Sequence, residues 1–310
     1  MNQVTTSEQY NKIFIPPIKC QGIKSKLALE IQKIINWSGD GKWIEPFMGS
    51  GVIGFNVKPK KALFCDINPC IINFYQNITK KKITPSIVKD FLEQEGKKLS
   101  NKGQEYYYEV RDRFNISRQP LDFLFLNRSC FNGVIRFNSK GGFNVPFGHK
   151  PDRFAQAYIT KIVNQVSYVS KCVQMFDWEF ICQDFSKTIS TAQKQDFIYC
   201  DPPYIDRHTN YFNSWSPDSE IKLFDLLNET PAKFILSTWH SNEFRTNQYH
   251  ESYWSKFNVK TFEHFYHVGA KELNRKPMLE ALVFNYKESE SKQNHNRKIQ
   301  HLENQLLLTI

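Results

Sequence analysis

Short apolar runs alternate with amphipathic, helix-length stretches along most of this chain. Trp43-Ile44-Glu45-Pro46-Phe47 and Ala62-Leu63-Phe64-Cys65-Asp66 read as strands, and Gly49-Ser50-Gly51-Val52-Ile53-Gly54 between them opens a helical stretch. Strand-length apolar runs separated by helix-length segments predict a βαβ unit. The same alternation returns at Phe180–Cys182, Asp196–Cys200, Lys233–Thr238 and Leu279–Phe284. Between 76 and 170 the pattern changes. A Lys-rich helical stretch from Lys80 leads through Tyr106-Tyr107-Tyr108 to Leu126–Gly133. Val134–Asn138 and Phe143–Phe147 then flank a Ser139-Lys140-Gly141-Gly142 turn and predict a β-hairpin. The pattern thus predicts a doubly wound α/β sheet over 13–75 and 171–287, an inserted helical plus hairpin region over 76–170, and a polar C-terminal tail over 288–310.

Of the 310 residues, 40% are apolar and 15% aromatic, which supplies a sizeable core and excludes wholesale disorder. Lys and Arg outnumber Asp and Glu by 41 to 31, and a net charge of +10 favours a polyanionic partner such as nucleic acid. The start of the chain has no basic-then-apolar leader, and no apolar window has the length of a membrane span, so a soluble cytoplasmic protein is expected. Seven cysteines at 20, 65, 70, 130, 172, 182 and 200 form no CxxC pair and no regular framework, which predicts reduced thiols.

Chemistry concentrates at Phe197-Ile198-Tyr199-Cys200-Asp201-Pro202-Pro203-Tyr204. Two prolines fix two φ angles and remove two backbone donors, so the chain leaves its strand in a stiff turn. That turn presents the Asp201 carboxylate, the Pro202 carbonyl and the Tyr204 ring where open α/β sheets bind ligands. Two pure acceptors beside a flat ring suit a planar substrate with an exocyclic amine, and adenine is the first candidate. Gly49, Gly51 and Gly54 follow the GxGxxG spacing after a strand, with Asp66 ending the next strand as a ribose-binding acid would. A nicotinamide oxidoreductase fits that loop too, although Pro46 in a central dinucleotide-binding strand is unusual. It would leave the Asp-Pro-Pro-Tyr turn without a role. A DNA-binding protein without catalysis also accounts for the charge, and both alternatives stay open at this point.

Five segments taken in order narrow the field: Glu45–Gly51, Cys65-Asp66-Ile67-Asn68, Leu126–Gly133, Phe143–Gly148 and Asp201–Tyr204. From about Phe14 to Tyr286 the chain resembles the Dam-like adenine-N6 DNA methyltransferases. Their alpha group shares its order of glycine loop, recognition insert and DPPY. Phe14–Lys24 and Phe154–Lys161 resemble the EcoRV-type branch of that family, which implies a type II restriction-modification context, a partner endonuclease and GATATC as target. The resemblance implies a Rossmann-like methyltransferase sheet, S-adenosyl-L-methionine as cofactor and double-stranded DNA as substrate. It also implies Asp201, Pro202, Pro203 and Tyr204 as the catalytic tetrapeptide. Cys20, Lys24, Glu45, Pro46, Phe47, Gly49, Gly51, Asp66, Asp184 and Asp201 are implied at the cofactor. Two positions depart from the family's N-terminal pattern: Cys20 stands where Trp is usual, and Ile23 replaces a Gly.

In the insert, Arg128, Arg136, Lys140, Lys150 and Arg153 face one acid, Asp152, and Asn132, Asn138 and Asn144 alternate with Phe131, Phe137 and Phe143. Arg and Asn read guanine and adenine edges, so Arg128, Phe131, Asn132, Arg136, Asn138 and Lys140 are candidate DNA contacts. Lys271–Lys276, with Arg275 and Lys276, is a candidate phosphate contact, and Tyr211–Trp215 a candidate lip over a flipped base. Cys200 precedes the acid on an apolar strand and reads as a buried structural thiol. His264 and His267 lack partners in a metal pattern, so no metal is expected.

Overall fold

The parallel part of the sheet grows from strands too apolar to face water. In a computed structural model, which describes residues 12–205, 215–241, 245–265 and 277–287, β1 (Trp43–Glu45) and β4 (Phe197–Cys200) are buried at every position. Continuous burial of this kind is the mark of strands covered on both faces. β1 pairs in parallel with β2 (Lys61–Asp66) and β4; β2 pairs with β3 (Asp177–Cys182), and β4 with β5 (Lys233–Ser241). The sheet closes with β7 (Pro277–Phe284) antiparallel between β5 and β6 (Asn258–Phe265). Strand order is β3-β2-β1-β4-β5-β7-β6. It reverses direction between β1 and β4, and such a switch point opens a crevice at the carboxyl ends of the two strands.

The sequence pattern finds every strand except β6. That strand is an edge, paired on one side only, and it mixes Asn258, Lys260 and Glu263 with a Val259 that is 37% exposed. A half-solvated edge carries no clear apolar run. β1 ends two residues earlier than the pattern suggests, because Pro46 cannot continue the ladder.

Helices cover both faces. α1 (Ala28–Ile34) and α2 (Val52–Val57) flank the glycine loop. α3 (Pro69–Thr79) starts where Asn68 accepts from the Cys70 N–H and Pro69 takes the first turn. α4 (Pro85–Lys102), capped by Thr84, α5 (Gln104–Ser117) and α6 (Pro120–Ser129) follow. α7 (Gln156–Met175) returns the chain to the sheet. α3 runs through residue 76 and α7 through residue 170, so neither position is a loop. α8 (Phe185–Ile189), α9 (Pro217–Glu229) and α10 (Gln248–Ser252) cover the second face. The insert is tied together by Arg113. It donates to Asp122 through Nε at 2.9 Å and to Glu95 through Nη2 at 2.7 Å, and Tyr106 adds a 2.6 Å bond to Glu95.

The turn over 139–142 forms as expected, with Gly141 at φ +76° and reciprocal backbone bonds between Asn138 and the glycines. Its arms pair through single bridges, Phe137 to Phe143 and Cys130 to Phe147, rather than as two full strands. Pro146 offers no donor there, and the Arg136 guanidinium occupies the Asn144 carbonyl that a ladder would use.

Candidate active site

The switch-point crevice is lined by acids from three strand ends. Asp201 follows β4, Glu45 ends β1 and Asp66 ends β2. From the N-terminal segment, Lys24 reaches Asp201, with Nζ to Oδ1 at 2.9 Å, and also donates to the Gly22 carbonyl. Lys24 is 5% exposed, and its ammonium lies 4.8 Å from the centroid of the Tyr204 ring. Burial pushes the Asp201 carboxyl above the usual carboxylate range, and Lys24 pulls it part of the way back. Pro202 and Tyr204 are buried and Pro203 is half-buried. Tyr204 packs against Trp239, and its hydroxyl lies 3.4 Å from Ser237 Oγ. Ser237 and Trp239 come from β5, and Glu280 of β7 sits opposite Trp239 in register. Glu280 is buried, and its charge raises both Asp201 and Tyr204. None of these three residues stands out in the sequence. Strand pairing puts them beside the Asp-Pro-Pro-Tyr turn, and the one local hint is Trp239 at the carboxyl end of an apolar strand.

The glycine loop and Asp66 form one unit. Asp66 Oδ2 accepts from the Gly49 N–H and Oδ1 from the Asn68 N–H, each at 2.8 Å. Burial raises Asp66, and those N–H groups hold it back. A carboxylate with two backbone bonds keeps lone pairs for further donors. Gly49 has φ +50° and Gly51 φ +77°, conformations that favour glycine, while a Cβ at Gly49 would meet only Cys20 Sγ, at 3.8 Å. Gly54 is different: a Cβ there would press 2.3 Å from the Phe64 ring and 2.8 Å from Glu45 Oε1. Gly49 keeps a ligand face open, whereas a Cβ at Gly51 would press 2.9 Å from Met48 and Phe55, so Gly51 and Gly54 serve close packing of α2. Burial, with Asp66 and Asp201 nearby, pushes the Cys20 thiol upward, so it faces the crevice as a neutral group. Pro46 is buried behind the loop. Phe47 is half-buried and stacks on Phe185 at 5.2 Å, with Trp215 edge-on at 5.5 Å. Asp184 caps α8 through the Ser186 N–H and lies 4.0 Å from Lys222 Nζ, beside that aromatic group.

Glu45 is 2% exposed and accepts from the Trp43 indole at 2.8 Å. Burial pushes its carboxyl up to about 8, against bonds from Trp43 and Gly54 that favour the charged form. An acid raised on folding binds its proton more tightly in the native state. Stability from that proton is therefore full below about 4.5 and falls away up to about 8. Glu45→Gln is expected to flatten this loss, which runs to about 1.4 kcal/mol per pH unit crossed. Thermal unfolding of both proteins between pH 5 and pH 8 checks it, and parallel curves refute it.

The insert residues separate by burial. Phe131 is 51% exposed, and Asn132, Asn138 and Lys140 are also exposed. Asn138 Oδ1 caps its own turn through the Lys140 and Gly142 N–H groups. Arg136 is half-buried and donates to Asn144 across the hairpin. Arg128 departs from expectation. It is 2% exposed and bonds Gln165 and the Tyr158 hydroxyl, so it lies inside the insert rather than on its surface. Its charge is absorbed by α7, some thirty residues away in sequence, which local pattern does not reveal. Arg275, Lys276, residues 211–214 and His267 lie outside the described residues. Cys200 is fully buried, and burial pushes its thiol well up. Among the described residues no cluster of three potential metal ligands occurs, and no helix is long and apolar enough to cross a membrane.

A reversing α/β sheet with a glycine loop, a bonded acid on β2 and Asp-Pro-Pro-Tyr at the end of β4 defines a Rossmann-like methyltransferase. The family of D12 class N6 adenine-specific DNA methyltransferases matches residues 21–268, and the chain belongs to it. It is an adenine-specific DNA methyltransferase. A DNA adenine methylase of Vibrio cholerae is 32% identical over 244 residues, covering 74% of this chain and 82% of that one. A DNA adenine methylase of Haemophilus influenzae is 35% identical over 207 residues, 63% of this chain and 66% of the relative. The type II methyltransferase M1.LlaDCHI of Lactococcus lactis subsp. cremoris is 29% identical over 297 residues, 90% and 98% of the two chains. Among solved structures, the rRNA methyltransferase AviRa of Streptomyces viridochromogenes covers 84% of each chain at a TM-score of 0.35 and 13% identity, too loose a likeness to bear on the site.

Proposed function

We propose that this enzyme uses S-adenosyl-L-methionine to methylate an adenine flipped out of double-stranded DNA at one specific site. The observation that carries the reading is the Asp201 carboxylate, held by Lys24 at the end of β4, two strands from the loop-bonded Asp66. The residue set fits that cofactor. Asp66 retains acceptor capacity for ribose hydroxyls, the face over Gly49 is open, and Asp201 supplies a negative charge for an ammonium group. The Phe47, Phe185 and Trp215 rings beside Asp184 suit an adenine. The cofactor supplies a methyl group made electrophilic by its sulfonium. The chain's part is placement. Asp201 and the Pro202 carbonyl accept hydrogen bonds from the two N6 hydrogens and so aim the nitrogen lone pair, while Tyr204 stacks on the base. The one proton that N6 sheds on methylation leaves by way of Asp201 to water. Positioning two reactants in this way accounts for much of such a rate enhancement. Extruding the base costs a few kcal/mol, which the DNA-contacting insert offsets.

The insert over 76–170 is the proposed reader, through Phe131, Asn132, Arg136, Asn138 and Lys140, with Arg275 and Lys276 on phosphate. The order of glycine loop, insert and tetrapeptide supports an alpha-group reading, and the likeness to the EcoRV-type branch makes GATATC the first target to test. A type II system with a partner endonuclease is the proposed setting, in line with what the Lactococcus relative's name says of that protein. Nucleoside mass spectrometry after incubation with S-adenosyl-L-methionine and two duplexes, one with GATATC and one scrambled, decides this. N6-methyladenine in the first alone is expected. Methyladenine in both discards the site, and none in either, from folded protein that still binds DNA, discards the cofactor reading.

A further inference from the structure

Tyr199 lies two residues before Asp201 on β4, so the two side chains share one face of the sheet. It is 3% exposed, with its ring stacked on Trp43 at 6.2 Å and 16°. Its hydroxyl is fully buried and has no hydrogen-bond partner among the described residues. It is not isolated from charge. Its neighbour two residues on, Asp201, carries the ion pair with Lys24 on that same face. A phenylalanine would fill this slot without an orphaned polar atom. A buried hydroxyl left unmatched is costly, so its partner is sought in the working complex.

The surroundings specify that partner's chemistry. The Lys24–Asp201 ion pair stands at the end of the same strand, and a paired cation and anion match a zwitterion better than a sugar or a base. Position agrees. Asp66 on β2 and Tyr199 on β4 are separated by β1, and two strand spacings amount to roughly 10 Å. A donor whose ribose lies on Asp66 would bring its amino-acid end over β4. We propose that the Tyr199 hydroxyl donates a hydrogen bond to the carboxylate at the amino-acid end of the methyl donor. This inference rests on the S-adenosyl-L-methionine reading above and goes further, by assigning a contact within that site.

The test is calorimetric binding to the full-length chain, wild type and Tyr199→Phe. Two probes are used: S-adenosylhomocysteine, which carries the amino-acid end, and 5′-methylthioadenosine, which lacks it. Loss of a hydrogen bond to a charged group predicts about tenfold weaker binding of S-adenosylhomocysteine, with 5′-methylthioadenosine unchanged. The melting temperature of the unliganded variant should stay within about 2 °C of wild type, since no bond within the protein is lost. Equal weakening of both probes, or no weakening of either, overturns the assignment. A wild type that binds neither probe discards the cofactor reading itself, which is a different failure.

Discussion

Asp201→Asn is expected to lower the rate of methyl transfer by about two to four orders of magnitude, while DNA affinity stays within about threefold. The carboxylate is the only charged member of the Asp-Pro-Pro-Tyr turn, and it pairs with Lys24 in the crevice rather than belonging to the insert proposed to contact DNA. The amide keeps one acceptor oxygen for Lys24 and nearly the same volume. It loses the charge that strengthens bonds to the N6 hydrogens, and it adds a competing N–H. Alanine is the poorer probe. It would take from Lys24, 5% exposed, its ion-pair partner, a change that costs stability as well as chemistry. Single-turnover methylation and fluorescence anisotropy on one duplex separate the two quantities. Should rate and affinity fall together, Asp201 acts in binding and not after the base has been presented.

Arg113→Ala is expected to lower stability by about 2–3 kcal/mol, or roughly 5–10 °C in melting temperature. The guanidinium bridges Glu95 and Asp122, whose side chains are 6% and 4% exposed, so its removal takes the ion pair from buried Asp122 and leaves Glu95 to Lys98 and Tyr106. Arg113 itself is 44% exposed, which keeps the figure below that of a fully buried pair. The loss should depend on pH. Burial pushes Glu95 up, but bonds from Lys98, Tyr106 and Arg113 outweigh it and leave the carboxyl below its ordinary 4.5. A depressed acid adds stability above its unfolded value, and that stability fades as pH falls through the folded value. The gap between wild type and variant should therefore be full at pH 7.5 and shrink below pH 4.5, for example at pH 3.5. An equal gap at both pH values would show that lost packing, not lost charge, is responsible.

What the sequence discloses and what it hides divide along a physical line. Asp201–Tyr204, the glycine loop and Asp66 are legible because backbone chemistry within a few residues dictates them. Two prolines, three glycines and a strand-ending acid each announce a turn or a close approach. The strands of the sheet interior are legible because burial on both faces leaves unbroken apolar runs. β6 is not, since an edge strand half in water keeps polar residues on both arms of the alternation. Ser237, Trp239 and Glu280 enter the site only through the β4–β5–β7 pairing, which no local window contains. Arg128 shows the reverse error. A basic residue in a basic stretch reads as a DNA contact until Gln165 and Tyr158 of α7 are seen to enclose it.

The ion pair between Lys24 and Asp201 joins positions 177 residues apart, and β1 waits for β4 across a similar span. Closing so long a loop is entropically slow compared with forming the local helices of the insert. During synthesis, the glycine loop and β2 emerge well before any partner for the open side of β1 exists. The catalytic centre is therefore among the last parts of the molecule to come together. In a refolding experiment, helical signal should recover first and methyl transfer last. A chain halted between residues 170 and 201 carries the insert and the glycine loop but has no acid to place against its lysine.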